Sequence, residues 1–183
     1  MGETYLFTGK GAGKTTSGLG LAMRSIGHRH RVVMIQFMKW WKNTGEYKIQ
    51  SKLKPYFRVY QFGRPVWLKL DGKKAEFGHK KFNAKEIEKL DREYALRGLG
   101  KAKEILRKEK PNLLILDEIC LAVHSKLLKD KEVLDLLKNT GKTTIVLTGR
   151  NASKKLIERA DFVNSLNAVK YPKTSKAKEG IQF

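Results

Sequence analysis

The segment Thr8-Gly9-Lys10-Gly11-Ala12-Gly13-Lys14-Thr15-Thr16 restricts the fold more than any other. It follows an apolar, β-prone run from Thr4 to Thr8 and opens a helical pattern from Lys14 to Ile26 that stops at Gly27. Glycines let a chain curl tightly around an anion without Cβ clashes. The curled backbone then aims several N–H groups inward, and the new helix adds its positive end. Lys14 is a flexible cation for outer phosphates, Thr15 a hydroxyl for Mg²⁺, and Thr16 a support for the loop. The general phosphate-loop pattern places its first glycine at position 8, where this chain has Thr8, with Gly9 one place later. A dinucleotide fingerprint fits worse, because Lys14 falls where its third glycine belongs.

The rest of the chain alternates strands and helices. Strands are expected at Arg31–Phe37, Phe57–Phe62, Leu113–Leu116, Lys142–Thr148 and Asp161–Leu166. Helices are expected at Asn83–Lys108, Lys131–Leu137 and Ser153–Arg159. The strands read as apolar on both faces, the mark of a parallel sheet covered on two sides. The expected fold is therefore α/β: a three-layer sandwich of the P-loop NTPase kind, with a mostly parallel central sheet. One domain is expected over 1–183, with an irregular insert or lid at 38–82 and a basic tail at 170–183.

Two further strand ends carry chemistry. Leu113-Leu114-Ile115-Leu116 runs into Asp117-Glu118, and an acidic residue at the end of a buried strand can hold Mg²⁺ directly or through water. Glu118 can orient water, bind metal or hold a loop. Leu147-Thr148-Gly149-Arg150-Asn151 leaves a β-rich run, and Arg150 can pair with a phosphate oxygen. All three elements would share the carboxyl edge of one sheet, where open α/β folds bind ligands.

Charge opens a second reading. Lys and Arg number 39 against 18 Asp and Glu, for a net charge of +21. Residues 1–85 carry net +14 and residues 86–183 net +7. Such an excess suits nucleic acid, an acidic lipid face or phosphates. Yet no sequence-reading motif or repeat accompanies it, and most of these side chains cannot touch one nucleotide. Surface character is the simpler account, with steering of an acidic partner as the weaker one. The single cysteine, Cys120, excludes an internal disulfide framework, and His28, His30, His79 and His124 lack ligand spacing with it. No apolar run approaches the ~20 residues that span a bilayer, and Met1–Phe7 lacks the pattern of a secretory signal. A cytoplasmic protein without a membrane partner is expected.

Together these pieces resemble the ATP:corrinoid adenosyltransferases of the bacterial cobalamin-pathway type. The resemblance spans nearly the whole chain. It runs through Thr8–Thr16, Gly20, Ala22, Arg24, Gly27, Gln36-Phe37 with Lys39, Asp117-Glu118, Ala122, Thr148–Ala152, Leu156, Ala160-Asp161, Gly180-Ile181 and Phe183. It implies transfer of the 5′-deoxyadenosyl group of ATP to Co(I) of a reduced corrinoid, with triphosphate leaving and Mg²⁺ in attendance. Cobalt is then the nucleophile, so no side-chain base or nucleophile is expected. The resemblance implies that Gly9, Lys10, Gly11, Ala12, Gly13, Lys14, Thr15 and Thr16 hold the triphosphate. Thr15 and Asp117 would handle Mg²⁺ with Glu118 in support, and Arg150 would join Lys14 at the phosphates. Phe62 and Trp67 are candidates to cover the corrin, with Trp40, Trp41 and Tyr60 in the same region; core or dimer packing is the competing reading for each. A homodimer and a flavoprotein or other reductase are implied partners.

The chain also departs from the family. Ala12 stands where members carry Lys, Tyr171 where they carry His, and Gln182 where they carry an acid. By the resemblance, a tail from Lys170 to Phe183 a few residues shorter than in members is expected, without the helical N-terminal arm seen in some of them. Closure would then rely on the middle segment or a partner subunit. The competing functions are a basic P-loop ATPase that binds nucleic acid and a small phosphotransferase. Both release ADP, whereas the adenosyltransferase releases triphosphate.

Overall fold

The computed structural model describes residues 2–64, 74–77, 80–170, 172 and 177–181, with the backbone alone at 74–77 and 80–84. Trp67, His79, Tyr171, Gln182 and Phe183 lie outside the described residues.

Alternation along the central strands explains the layers. In β2 (Val32–Phe37) every position is buried. Val33, Ile35 and Phe37 enter one apolar cluster, while Val32 and Met34 enter a second. In β6 (Leu113–Asp117), Leu114 and Leu116 join the first cluster and Leu113 and Ile115 the second. Successive side chains point to opposite faces, so a strand apolar throughout must be covered on both.

The sheet has six strands in the order β3-β2-β6-β7-β1-β8, where β1 is Thr4–Thr8, β3 Phe57–Phe62, β7 Thr144–Thr148 and β8 Phe162–Ser165. Every pairing in it is parallel. One face is covered by α1 (Lys14–Gly27). Gly18 is buried where α1 faces Ile115 and Val146, and a Cβ there would make ordinary contact with both, at 3.4 and 3.5 Å. Beside it lies the short α2 (Gly45–Ile49), whose Tyr47 packs on the same cluster. The other face is covered by α3 (Ala84–Lys108), α4 (Ile119–His124), α5 (Asp130–Leu137) and α6 (Lys154–Arg159). They contribute Leu99, Ile105, Ile119, Val133 and Leu156 to the larger cluster. β4 (Lys74–Phe77) and β5 (Lys80–Asn83) form a separate antiparallel pair.

The expected α/β sandwich with a parallel central sheet is what the structure has. Two helices escape the periodicity: Gly45–Ile49 is too short to show one, and Ile119–His124 is short and mostly buried, so it lacks the polar face that marks an amphipathic helix.

Candidate nucleotide-binding site

The glycine-rich loop joins the carboxyl end of β1 to the first turn of α1. Gly9 has φ 101°, in the left-handed region, and a Cβ there would fall 2.4 Å from the Leu166 carbonyl oxygen. Only glycine fits such a position. The Gly11 N–H donates to the Leu166 carbonyl at 2.8 Å, which ties the loop to the segment after β8. Lys14 is 6% exposed, and its Nζ donates to the Gly11 carbonyl at 2.5 Å. Burial, and then the nearby Arg150 charge, hold the Lys14 ammonium below its usual range. Such an ammonium gains from an arriving anion. Lys10 and Ala12 in the loop, and Thr16 in the first turn of α1, are exposed.

Four neighbouring strands place polar residues at or next to their carboxyl ends on the face that α1 covers. In β3 the run Phe57, Val59 leads to Gln61; in β2, Val32, Met34 leads to Gln36; in β6, Leu113, Ile115 leads to Asp117; in β7, Val146 leads to Thr148. Register sets Gln36 opposite both Gln61 and Asp117. Gln61 Nε2 donates to Gln36 Oε1 at 3.0 Å. Gln36 Nε2 donates to Asp117 Oδ2 at 3.2 Å and to Glu46 Oε1 at 2.9 Å.

Asp117 is the centre of this belt and is fully buried. Its Oδ1 accepts from Thr15 Oγ1 at 2.8 Å and from Thr148 Oγ1 at 2.7 Å. Its Oδ2 accepts from Lys39 Nζ at 2.7 Å as well as from Gln36. A buried carboxylate is stable only with such pairing. Burial opposes the Lys39 charge, but the Asp117 carboxylate outweighs it and lifts the ammonium above its usual range.

Glu118 turns the chain from β6 into α4 with φ 62°. Its N–H donates to Thr148 Oγ1 at 3.0 Å. Its carboxyl Oε2 is buried without a hydrogen-bond partner. Burial, then the Asp117 charge, push the Glu118 carboxyl above the usual range. Gly149 (φ 136°) lets β7 pass close to α4, where a Cβ would lie 2.9 Å from the Leu121 nitrogen. Arg150 follows, exposed.

The structure thus brings Lys14, Thr15, Asp117, Glu118 and Arg150 to one edge of the sheet. Phe62 is half-buried on the α3 side of the sheet, close to Phe37 and to Gly98, where a Cβ would be 3.2 Å from its ring. Trp40 lines a cleft of about 310 Å³ with Tyr47, Tyr60 and Tyr94. Gln36, Lys39 and Thr148 are the site residues that sequence chemistry alone left unassigned. For Gln36 and Thr148 the available signal was alternation, since each continues an apolar row that faces α1; Lys39 lies past the end of β2 and has no such signal.

A cavity of about 370 Å³ opens beside the loop, lined by Thr15, Thr16, Lys39 and Glu46 at its polar end and by Leu19, Met23 and Leu53 at its apolar end. Hydroxyl and carboxylate oxygens from Thr15 and Asp117 suit Mg²⁺, which keeps several waters and takes other oxygens from substrate phosphates. Among the described residues no group of three or more His, Cys, Asp or Glu could cage a metal by itself.

A glycine loop between a parallel strand and a helix, with an aspartate at the end of the next strand but one reaching the helix start, defines a P-loop nucleotide-binding protein. The model of the family ATP:corrinoid adenosyltransferase BtuR/CobO/CobP matches residues 1–183, so the chain belongs to that family. A corrinoid adenosyltransferase of a Sinorhizobium species is 33% identical over 182 residues, covering 96% of this chain and 78% of that protein. The Escherichia coli K12 corrinoid adenosyltransferase is 29% identical over 185 residues, covering 100% and 86%. That of Pseudomonas aeruginosa is 28% identical over 186 residues, covering 100% and 84%. The chain is an enzyme of ATP-dependent corrinoid adenosylation, with ATP and a corrinoid as its substrates. Among the described residues no helix is long and apolar enough to cross a membrane.

Proposed function

We propose that the Gly9–Thr16 loop grips the triphosphate of ATP and turns the ribose C5′ toward Co(I) of a reduced corrinoid. The observation that carries this reading is the 2.8 Å contact between Thr15 at the start of α1 and Asp117 at the end of β6. It joins the phosphate loop to the acidic strand end, as nucleotide sites of this fold require.

Attack by the cobalt electron pair forms the cobalt–carbon bond and breaks the C5′–oxygen bond, and triphosphate carries away the charge. Lys14 and Arg150 stabilise that charge where it develops. Thr15 and Asp117 would hold Mg²⁺, which supplies charge neutralisation along the triphosphate when bound. Glu118, with its unpartnered carboxyl oxygen, supports the edge of this site. Side chains need only align the reactants and keep water from Co(I). Closure over the corrin falls to the segment 38–82 or to a partner subunit in a homodimer. A flavoprotein or other reductase supplies the electron, in a cytoplasmic setting.

The test follows the nucleotide product. Reduced corrinoid, ATP and Mg²⁺ are expected to give triphosphate together with cobalt–carbon absorbance. ADP release without that absorbance would defeat the reading.

A further inference from the structure

All the acceptor capacity of Asp117 is in use. Two hydroxyls, from Thr15 and Thr148, share Oδ1, and Gln36 and Lys39 share Oδ2. Only Lys39 among these four brings charge. Its ammonium lies 2.7 Å from a carboxylate with no solvent exposure, while its own side chain remains 30% exposed. Lys39 follows Met38, where the chain bends through φ 60° as it leaves β2. That bend brings the Lys39 side chain to the cavity beside Thr15 and Thr16. Glu46 Oε1 on α2 is 4.0 Å from the same ammonium, so a second anion stands on the cavity side.

We infer that Lys39 is an exchangeable counter-ion of Asp117 that excludes a divalent cation until a phosphate chain arrives. The inference rests on the reading of Thr15 and Asp117 as metal ligands. A second cation cannot approach Asp117 Oδ2 beside an ammonium at contact distance without strong repulsion. Removing the ammonium to water leaves its buried partner unpaired until the metal replaces it, so free metal gains little. A triphosphate changes the balance. It offers Lys39 a stronger anion across the cavity, and the metal then meets a freed carboxylate oxygen together with phosphate oxygens. Metal and nucleotide thus enter together, and Lys39 moves from carboxylate to phosphate in the same event.

Mn²⁺ binding, followed by electron paramagnetic resonance and water-proton relaxation, tests this without turnover. The probe is Mn²⁺ alone and then Mn²⁺ with ATP, on the full chain. Wild-type protein and Lys39→Arg are expected to bind Mn²⁺ weakly in the absence of nucleotide. Lys39→Met and Lys39→Gln are expected to bind it about tenfold more tightly or better, because the competing charge is gone. With ATP present that advantage should disappear. Lys39→Met and Lys39→Gln proteins that form the ternary Mn²⁺–ATP complex but bind free Mn²⁺ no better than wild type would overturn the inference. Wild-type protein that forms no ternary complex would instead remove the metal reading itself, and this inference with it.

Discussion

Thr148 on β7 donates its hydroxyl hydrogen to Asp117 on β6 at 2.7 Å, and the same oxygen accepts the Glu118 N–H at 3.0 Å. One hydroxyl therefore holds both acidic residues of the strand end. Replacing it by an isosteric methyl leaves a buried carboxylate oxygen short of one donor and a buried N–H without an acceptor. Thr148→Val is expected to cost about 2–3 kcal/mol of stability, measured by urea unfolding, while Thr148→Ser keeps most of it.

Lys14 bears on the phosphate site in a different way. Its cation is buried and disfavoured by burial and by Arg150, so the folded protein gains little from it before an anion binds. Lys14→Met should lower kcat/KM for ATP by roughly 10²-fold or more, as loss of an oriented charge at a developing anion does. Thermal stability should stay equal or rise. A clear fall in melting temperature with little change in kcat/KM would contradict the assignment.

Glu118 gives a prediction in pH. Its carboxyl pKa is raised in the folded chain, by burial first and then by Asp117. The folded state thus holds a proton that the unfolded state has released, and stability falls as pH rises through that window. Glu118→Gln removes the ionisation. It should be the more stable protein at neutral pH, by about 1 kcal/mol or more, or some 2–4 °C in a domain of this size. The difference should shrink as the pH falls below the ordinary carboxylate range. Melting curves from pH 4 to pH 8 for both proteins check the sign.

Cys120 is fully buried in α4, and burial, followed by the charge of Glu118, pushes its thiol up to about 12. Thiolate is the reactive form. Iodoacetamide at pH 8 should leave the native protein unmodified and alkylate it once denaturant unfolds it. Labelling of the native chain at the rate of a free thiol would show that α4 opens.

Much of the site is legible along the chain. Gly9 to Thr16 announces a phosphate loop because glycine spacing and the following helix are local properties. Asp117 is legible for the same reason: four apolar residues ending in an acid describe a buried strand meeting a ligand edge. The expectation for Phe62 shows the limit. Aromatic character marks it for either a ligand face or a core, and the choice depends on which side of β3 is turned toward α3. Gln36 and Lys39 appear as part of a resemblance, but their chemistry is invisible until β6 lies beside β2.

Most of the elements, the two-sided burial of the strands and the loop that meets phosphate are written locally along the chain. Each follows from side-chain alternation or glycine freedom within a short stretch of chain. Tertiary structure alone decided that β6 lies between β2 and β7. That neighbourhood collects Thr15, Gln36, Lys39 and Thr148 around Asp117 from distant parts of the chain. A buried charge can be kept only where the fold supplies its partners, and strand order is a property of the whole sheet.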